Sequence, residues 1–459
     1  MTRGALVRAA AAAAVVLLGL AFTCRERSRE RSPAAAAAPA PSGGEKAGAA
    51  AAEAAPPPEF LYGRVTTVGG DLYEGRLRWG GDQEALWSDL FYGVKQKNPW
   101  LDYVAPERRP VESRPISIFG FVVARRERPQ ELSRPFLAPF GDIARIDAVG
   151  TEVRVTQKSG RVVVLARFEA SDFDDGVRVW DNARGVVDLD ARRIRTIELL
   201  PTPWQGTAPV RLYGTVSTPQ GDFTGFLQWN REAALASDEL RGRTAEGAWS
   251  VRFDQLRAIA RRSPKSSLLT LADGREVVLS GSAASGDGHR GVYVDDRRYG
   301  RVLVPWEAFE RVDFAAGADG GGGEGGGALY GDFPPGRRLT GTVTTRDGRH
   351  LAGRLVFDLD ESETTDTLDA PARGIDYLLP FGRVVAIVPG AGGGGDAART
   401  RVGLDDGEVL ELENAGDLGP GNAGMLVFGE GTGLPVYVPW TEVERVDFGP
   451  TATPPAVAL

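Results

Sequence analysis

The chain has 459 residues, enough for roughly three domains of 100 to 150 residues each. A formal net charge of −8 argues against a chain-wide grip on nucleic acid, which needs a strongly basic face. The 60 glycines and 30 prolines beside 42% hydrophobic residues fit a turn-rich β protein, and a lone cysteine leaves no intrachain disulfide, so packed cores must supply stability.

In chain order, Arg3 and Arg8 precede an apolar run from Ala9 to Phe22, too short for a comfortable membrane span and typical of a signal-peptide core. Residues 1–24 are therefore read as a signal or anchor, and export to the periplasm or outer surface is expected. Cys24 follows the run directly, where the segment resembles a bacterial lipoprotein signal, and the resemblance makes Cys24 the lipidated residue. Ala21-Phe22-Thr23 departs from that pattern, lacking the aliphatic residue three before the cysteine, and Arg25, Arg27, Arg29 and Arg31 favour an uncleaved anchor. Residues 25–59, rich in Ala and Pro, bury too little to order themselves and read as a disordered spacer.

Three near-copies follow, at 60–201, 210–315 and 337–449, with a Gly-rich linker at 316–336 and a frayed tail at 450–459. Leu61-Tyr-Gly-Arg-Val-Thr-Thr, Leu212-Tyr-Gly-Thr-Val-Ser-Thr and Leu339-Thr-Gly-Thr-Val-Thr-Thr open them. Each continues through a second glycine (Gly75, Gly225, Gly353) to Trp79, Trp229 or Phe357. Alternating stretches around Gly69-Gly70-Asp71, Gln220-Gly221-Asp222 and Asp347-Gly348-Arg349 predict β-hairpins. The in-strand glycines mark bulges or sharp bends.

Next come Phe140-x-x-Ile143-x-x-Ile146, Phe253-x-x-Leu256-x-x-Ile259 and Phe381-x-x-Val384-x-x-Ile387, whose spacing of three predicts a short 3-10 turn running into a strand. The second half of each copy repeats the theme and closes with the same spacing, as in Trp306-x-x-Phe309-x-x-Val312 and Trp440-x-x-Val443-x-x-Val446. The fold class is thus all-β, three tandem repeats, each of two small barrel units of about 50 to 60 residues. The Gly-x-Val-x-Thr hairpin followed by short apolar strands is similar to the Sm-like and SH3-like barrels, and the resemblance implies the barrel shape. The Sm-like family's RNA-contacting residues find no match here, so RNA binding is not carried over.

The first copy alone carries an insertion, from Phe91 to Pro135, with Asn98-Pro-Trp-Leu-Asp-Tyr103 and a run of arginines. Departures from a repeat are where function is grafted, so Trp100, Tyr103, Arg108 and Arg109 are candidate partner-binding residues. The competing and preferred reading is a covering excursion that packs its aromatics on the barrel.

Residues for chemistry are scarce. His289 and His350 fall in turns without counterparts in the other copies and read as solvated. Acidic runs at Asp172–Asp175 and Asp358–Glu363, with Asp366 and Asp369, lack the spaced loop of an EF-hand and read as solvated loops. Gly320–Gly327 has no Lys-Ser or Lys-Thr and cradles no phosphate. Trp79, Trp229, Trp306 and Trp440 read as core.

No catalytic residue, cofactor or metal is expected. The leading function is a non-enzymatic envelope binding or scaffold protein for a protein or polysaccharide partner, its linked modules docking multivalently. The rival is a hydrolase with a carboxylate site at a module junction, using Asp89 or Asp238, which recur with Asp366 behind the aromatic position. A turn-capping role explains that recurrence equally well.

Overall fold

The computed structural model describes residues 59–80, 84–109, 116–118, 121–124, 134–170, 173–203, 210–286, 288–315, 328–390, 399–431 and 433–449. Cys24, the N-terminal signal and spacer, the tail and Gly320–Gly327 lie outside them, as do Arg114, Arg125, Arg126 and Arg128 of the insertion. The protein is all-β: the described residues form short strands joined by tight turns and 3-10 turns, the longest being Pro99–Tyr103. Among these residues no helix is long and apolar enough to cross a membrane.

Each copy supplies ten repeat strands, five from each half. In the first copy they are Tyr62–Thr67, Leu72–Trp79, Leu90–Val94, Pro135–Pro139 and Ile143–Val149, then Glu152–Gln157, Val162–Ala166, Val177–Asp181, Gly185–Leu189 and Ile194–Leu199. Phe140–Asp142, Phe253–Gln255 and Phe381–Arg383 form the expected 3-10 turns ahead of a strand, their leading phenylalanines buried.

The halves are not the separate units that contiguous sequence implies. The opening strand pairs with the closing strand of the other half, Val65 opposite Ile197, and the second strand pairs across as well, Trp79 opposite Val177. The same exchange recurs as Val216 opposite Val312 and Trp229 opposite Val292, and as Val343 opposite Val446 and Val356 opposite Leu426. In the second copy, for example, each run of five neighbouring strands therefore takes two strands from one half and three from the other. Between the halves, Gly150 (φ 61) and Thr151 close a tight hairpin that pairs Ile143–Val149 with Glu152–Gln157, Val149 opposite Glu152. Ile194–Leu199 lies between the fifth strand of the first half and its first strand, with Ile197 opposite both Ile146 and Val65.

The repeated glycines make the curl possible. Gly63 pairs with Gly75, Gly214 with Gly225 and Gly341 with Gly353. A Cβ at Gly75 would overlap the Trp180 carbonyl, and one at Gly225 or Gly353 would overlap that of Asp295 or Phe428. Only a residue without a side chain lets the neighbouring strand cross so closely. Inside, Trp79 meets Phe91, Phe140 and Phe173, and Phe357 meets Phe381 and Trp440, so Trp79, Trp229, Trp306 and Phe357 are core and Trp440 packs partly buried against it.

The copies are not beads on flexible tethers. Gly300–Val304 of the second copy pairs with Ile375–Pro380 of the third, making one sheet of twelve strands, and one hydrophobic cluster runs through both copies. The first copy has its own core, which takes in Tyr330 and Phe333 from just before the third copy. That stretch, expected to be linker, is docked: Tyr330 lies 4.7 Å from Trp87, Phe333 covers Gly141, and Lys158 donates to the Tyr330 and Phe333 carbonyls. The three copies therefore form a packed assembly.

Candidate functional site

The site begins where each copy leaves its second strand. In the third copy Asp358 (φ 49) and Leu359 (φ 51) make a left-handed two-residue turn, as Asn230 (φ 53) and Arg231 (φ 59) do in the second. Asp and Asn tolerate this backbone, whereas Leu359 adopts it at a cost. The turn is closed by hydrogen bonds between Phe357 and Glu361 and buries Asp358, Asp360 and Glu361 together. The acidic run read as a solvated loop is thus enclosed, because the first copy covers it.

Three cations of the first copy meet three aspartates of the third. Arg134 Nη2 lies 3.0 Å from Asp358 Oδ1, Lys95 Nζ pairs with Asp360 Oδ1, and Arg161 grips both oxygens of Asp366 while donating to Ser362 Oγ at 3.1 Å. Lys95 and Arg134 bracket the insertion: Val94 pairs with Pro135, so the excursion proper spans 95–134, and Lys95 N donates to Arg134 O at 2.8 Å. From the far side comes the 3-10 turn Gly416–Leu418, whose Asp417 Oδ2 accepts from Asp369 N at 2.7 Å. Gly416 (φ 57) sits where a Cβ would overlap the Asp369 carbonyl.

These elements enclose a cavity of about 300 Å³. Its polar lining holds six carboxylates, those of Asp358, Asp360, Glu361, Asp366, Asp369 and Asp417, against two cations, Lys95 and Arg134. Pro135, Phe136, Leu137 and Leu378 give it an apolar side, and Gly419-Pro420-Gly421 lies on its margin. Burial first, then neighbouring acids, push the Glu361 carboxyl well above its usual range; burial does the same for Asp358 despite Arg134. Burial also pushes Asp417 up to about 6, although the Asp369 amide and Arg134 pull the other way. Asp366, though equally enclosed, is held low by Arg161. Glu361 is only 8% exposed, and among the described residues its Oε2, like Glu363 Oε2 beside the cavity, is buried without a hydrogen-bond partner.

The recurring aspartates have a structural task. Asp89 Oδ2 accepts from Ala85 N and Leu86 N (2.9 and 2.9 Å), Asp238 Oδ2 from Ala234 N and Leu235 N (2.9 and 2.9 Å), and Asp366 Oδ2 from Ser362 N and Glu363 N (2.7 and 2.9 Å). They close the same turn in each copy.

The insertion's aromatics pack on the third copy. Trp100 and Tyr103 lie 6.1 and 5.4 Å from Phe428, Arg108 stacks 5.1 Å over Tyr437, and Arg109 donates to the carbonyls of Val104 and Leu101. Trp100 is partly buried, and Tyr103 keeps 43% of its surface exposed. His350 is exposed as expected, but His289 is not solvated. Its ring stacks 4.7 Å from Trp306, its Nδ1 accepts from Gly291 N, and burial followed by Arg290 lowers it to about 3, so it is neutral core. Asp172 lies outside the described residues, and Asp174 pairs with Arg167 at 3.3 Å.

Sequence reasoning passed over Lys95 and Arg134. Their signal was positional, since they flank the one segment that the repeat does not require. Among the described residues no group of three or more His, Cys, Asp or Glu is arranged to hold a metal ion. No protein-family model, curated protein or solved structure matches the chain.

Proposed function

We propose that the chain is a non-enzymatic, exported binding protein, and that it recognises its partner through the cleft between the first and third copies. One observation carries the reading: Glu361 lines a cavity built from two copies and has a buried carboxylate oxygen that no described residue satisfies, while Asp358, Asp360, Asp366 and Asp417 engage backbone amides or basic side chains. A buried polar group left unpaired is costly, and a ligand that pairs it recovers that cost. A cavity of about 300 Å³ suits one side chain better than a run of sugar rings, which favours a protein partner over a polysaccharide. The N-terminal run and Cys24 support export with an anchor or lipid at the membrane.

The hydrolase reading retains one supporting feature, the three raised carboxyls of Asp358, Glu361 and Asp417 around one cavity, the environment in which a general acid is made. Asp89 and Asp238 do not strengthen it, being committed to turn closure. One experiment separates the two. A photo-crosslinking residue is placed at Pro420 on the cleft margin or at the 78% exposed Phe168, which does not line the cleft, and the full chain is expressed in its own cells. A discrete adduct from position 420 and none from 168 is expected. Equal labelling from both positions sinks the binding reading, and turnover of chromogenic glycosides or esters that disappears in Glu361→Gln installs the hydrolase.

A further inference from the structure

We propose that the cleft is a socket for a single alkylammonium group, a lysine side chain or a simple aliphatic amine, with Glu361 as its carboxylate partner. The proposal rests on the binding reading above and names the chemistry that the cleft selects. Charge comes first: six carboxyls line the cleft, and the basic groups that meet them are already engaged, Lys95 with Asp360, Arg134 with Asp358 and Arg161 with Asp366. The residual field favours a cation. Position comes second, since Glu361 lines the cleft and its Oε2 is buried with no donor among the described residues, so that an N–H group could pair it.

The type of cation follows from the walls. One open acceptor suits a compact ammonium, whereas a guanidinium fork needs a parallel pair of oxygens. A divalent metal needs several oxygens at once, an arrangement that the described residues do not supply. Pro135, Leu137 and Leu378 offer apolar surface for the methylenes behind the ammonium, as long cationic side chains bury their stems elsewhere.

Occupation exchanges one cation for another. In the empty cleft burial and the acids around it push the Glu361 carboxyl toward its protonated form. An incoming R–NH3+ takes the place of that proton, which leaves to solvent, and the net charge of the site does not change. Proton release on binding is therefore a signature that simple surface attraction lacks.

The test is calorimetric titration of the full chain at pH 6.5 in two buffers of different ionisation enthalpy. The probes are a lysine-centred tripeptide with blocked termini, n-butylamine, the arginine-centred tripeptide, and the lysine tripeptide acetylated on Nε. Saturable binding of the lysine peptide with release of a proton is expected, with no binding of the acetylated form. Tighter binding of the peptide than of butylamine assigns a polypeptide source, and equal binding assigns a free amine.

Glu361→Gln should weaken binding roughly tenfold or more and abolish proton release. Glutamine is the neutral isostere of the protonated acid, so this variant should melt no lower than the wild type. Ala415→Trp, which narrows the cavity without altering a charge, provides a second blocked variant. Equal binding of the acetylated or arginine peptide, or unchanged affinity in Glu361→Gln, overturns the proposal. Absence of amine binding while crosslinks from position 420 persist sinks the socket and leaves the binding reading standing, whereas loss of both sinks both.

Discussion

The third copy meets its two neighbours by different physics. Against the second copy it continues a β-ladder, with Arg301 opposite Leu378 and Leu303 opposite Asp376, and Phe223, Tyr299 and Tyr377 pack ring against ring 5.5 to 6.0 Å apart. Against the first copy the seam combines an apolar patch, where Leu101, Val104 and Trp100 meet Leu359, Leu426 and Phe428, with a charged part in which Arg134, Lys95 and Arg161 are set on Asp358, Asp360 and Asp366 around a cavity. A ladder backed by apolar packing tolerates little change in spacing. A seam of side-chain ion pairs can be tuned by pH, salt or an entering charge. The adjustable contact is the one that carries the cleft.

The largest effect is expected on the apolar side. Phe223→Ala opens a hole beside Tyr299 and Tyr377 and should cost roughly 3–5 kcal/mol. Because the second and third copies share one core, both should unfold in a single transition in denaturant, followed by tryptophan fluorescence. Separate transitions would show that the two copies are independent.

On the charged side, the two ends of one pair should respond unequally. Asp358→Asn leaves the 9% exposed Arg134 side chain without its carboxylate and should cost about 2 kcal/mol, less than a fully dry pair because Arg134 also lines the cavity. Arg134→Met should cost less, since Asp358 can keep a proton and still accept from Ala423 N. Equal losses in chemical denaturation would contradict the raised carboxyl.

The acids also set a pH dependence with a definite sign. Asp142 and Asp417 titrate near 6 in the fold, both through burial, against 3.8 when unfolded. The folded chain therefore binds more protons than the unfolded one across this interval. Their contribution is complete below about pH 4 and is lost as pH rises through 6. Asp366, held low by Arg161, acts in the opposite sense only in stronger acid. The melting temperature should fall between pH 5 and pH 7.5, by an amount on the order of 1 kcal/mol in stability, and Asp417→Asn should flatten that slope. A melting temperature that rises over this range would refute the assignment.

The sequence made legible whatever is local and repeated. The glycine pairs at Gly63 and Gly75, the 3-10 turns opened by Phe140, Phe253 and Phe381, and the core role of Trp79 and Trp229 all rest on spacings of a few residues. What escaped is non-local. Alternation of apolar residues does not say which strand is the partner, so the exchange that sets Val65 against Ile197 could not be read from it. Asp358 and Asp360 looked like solvent residues because the cations that cover them lie 224 and 265 positions away in the chain. His289 looked like a loop residue because the indole of Trp306 that encloses it is contributed by a later turn.

The smallest effect is expected at the outer edge of the charged seam. Arg108 stacks over Tyr437 and lies 4.0 Å from Glu442, but both charged side chains are about half exposed, at 49% and 47%. Water and salt screen such a pair, so Arg108→Ala should cost roughly 0.5 kcal/mol or less, and that loss should shrink further at high salt. Its amine affinity should match the wild type, since Arg108 does not line the cleft. A loss comparable to that of Asp358→Asn would mean that the insertion's rim, rather than the buried pairs at its two ends, fastens the first copy to the third.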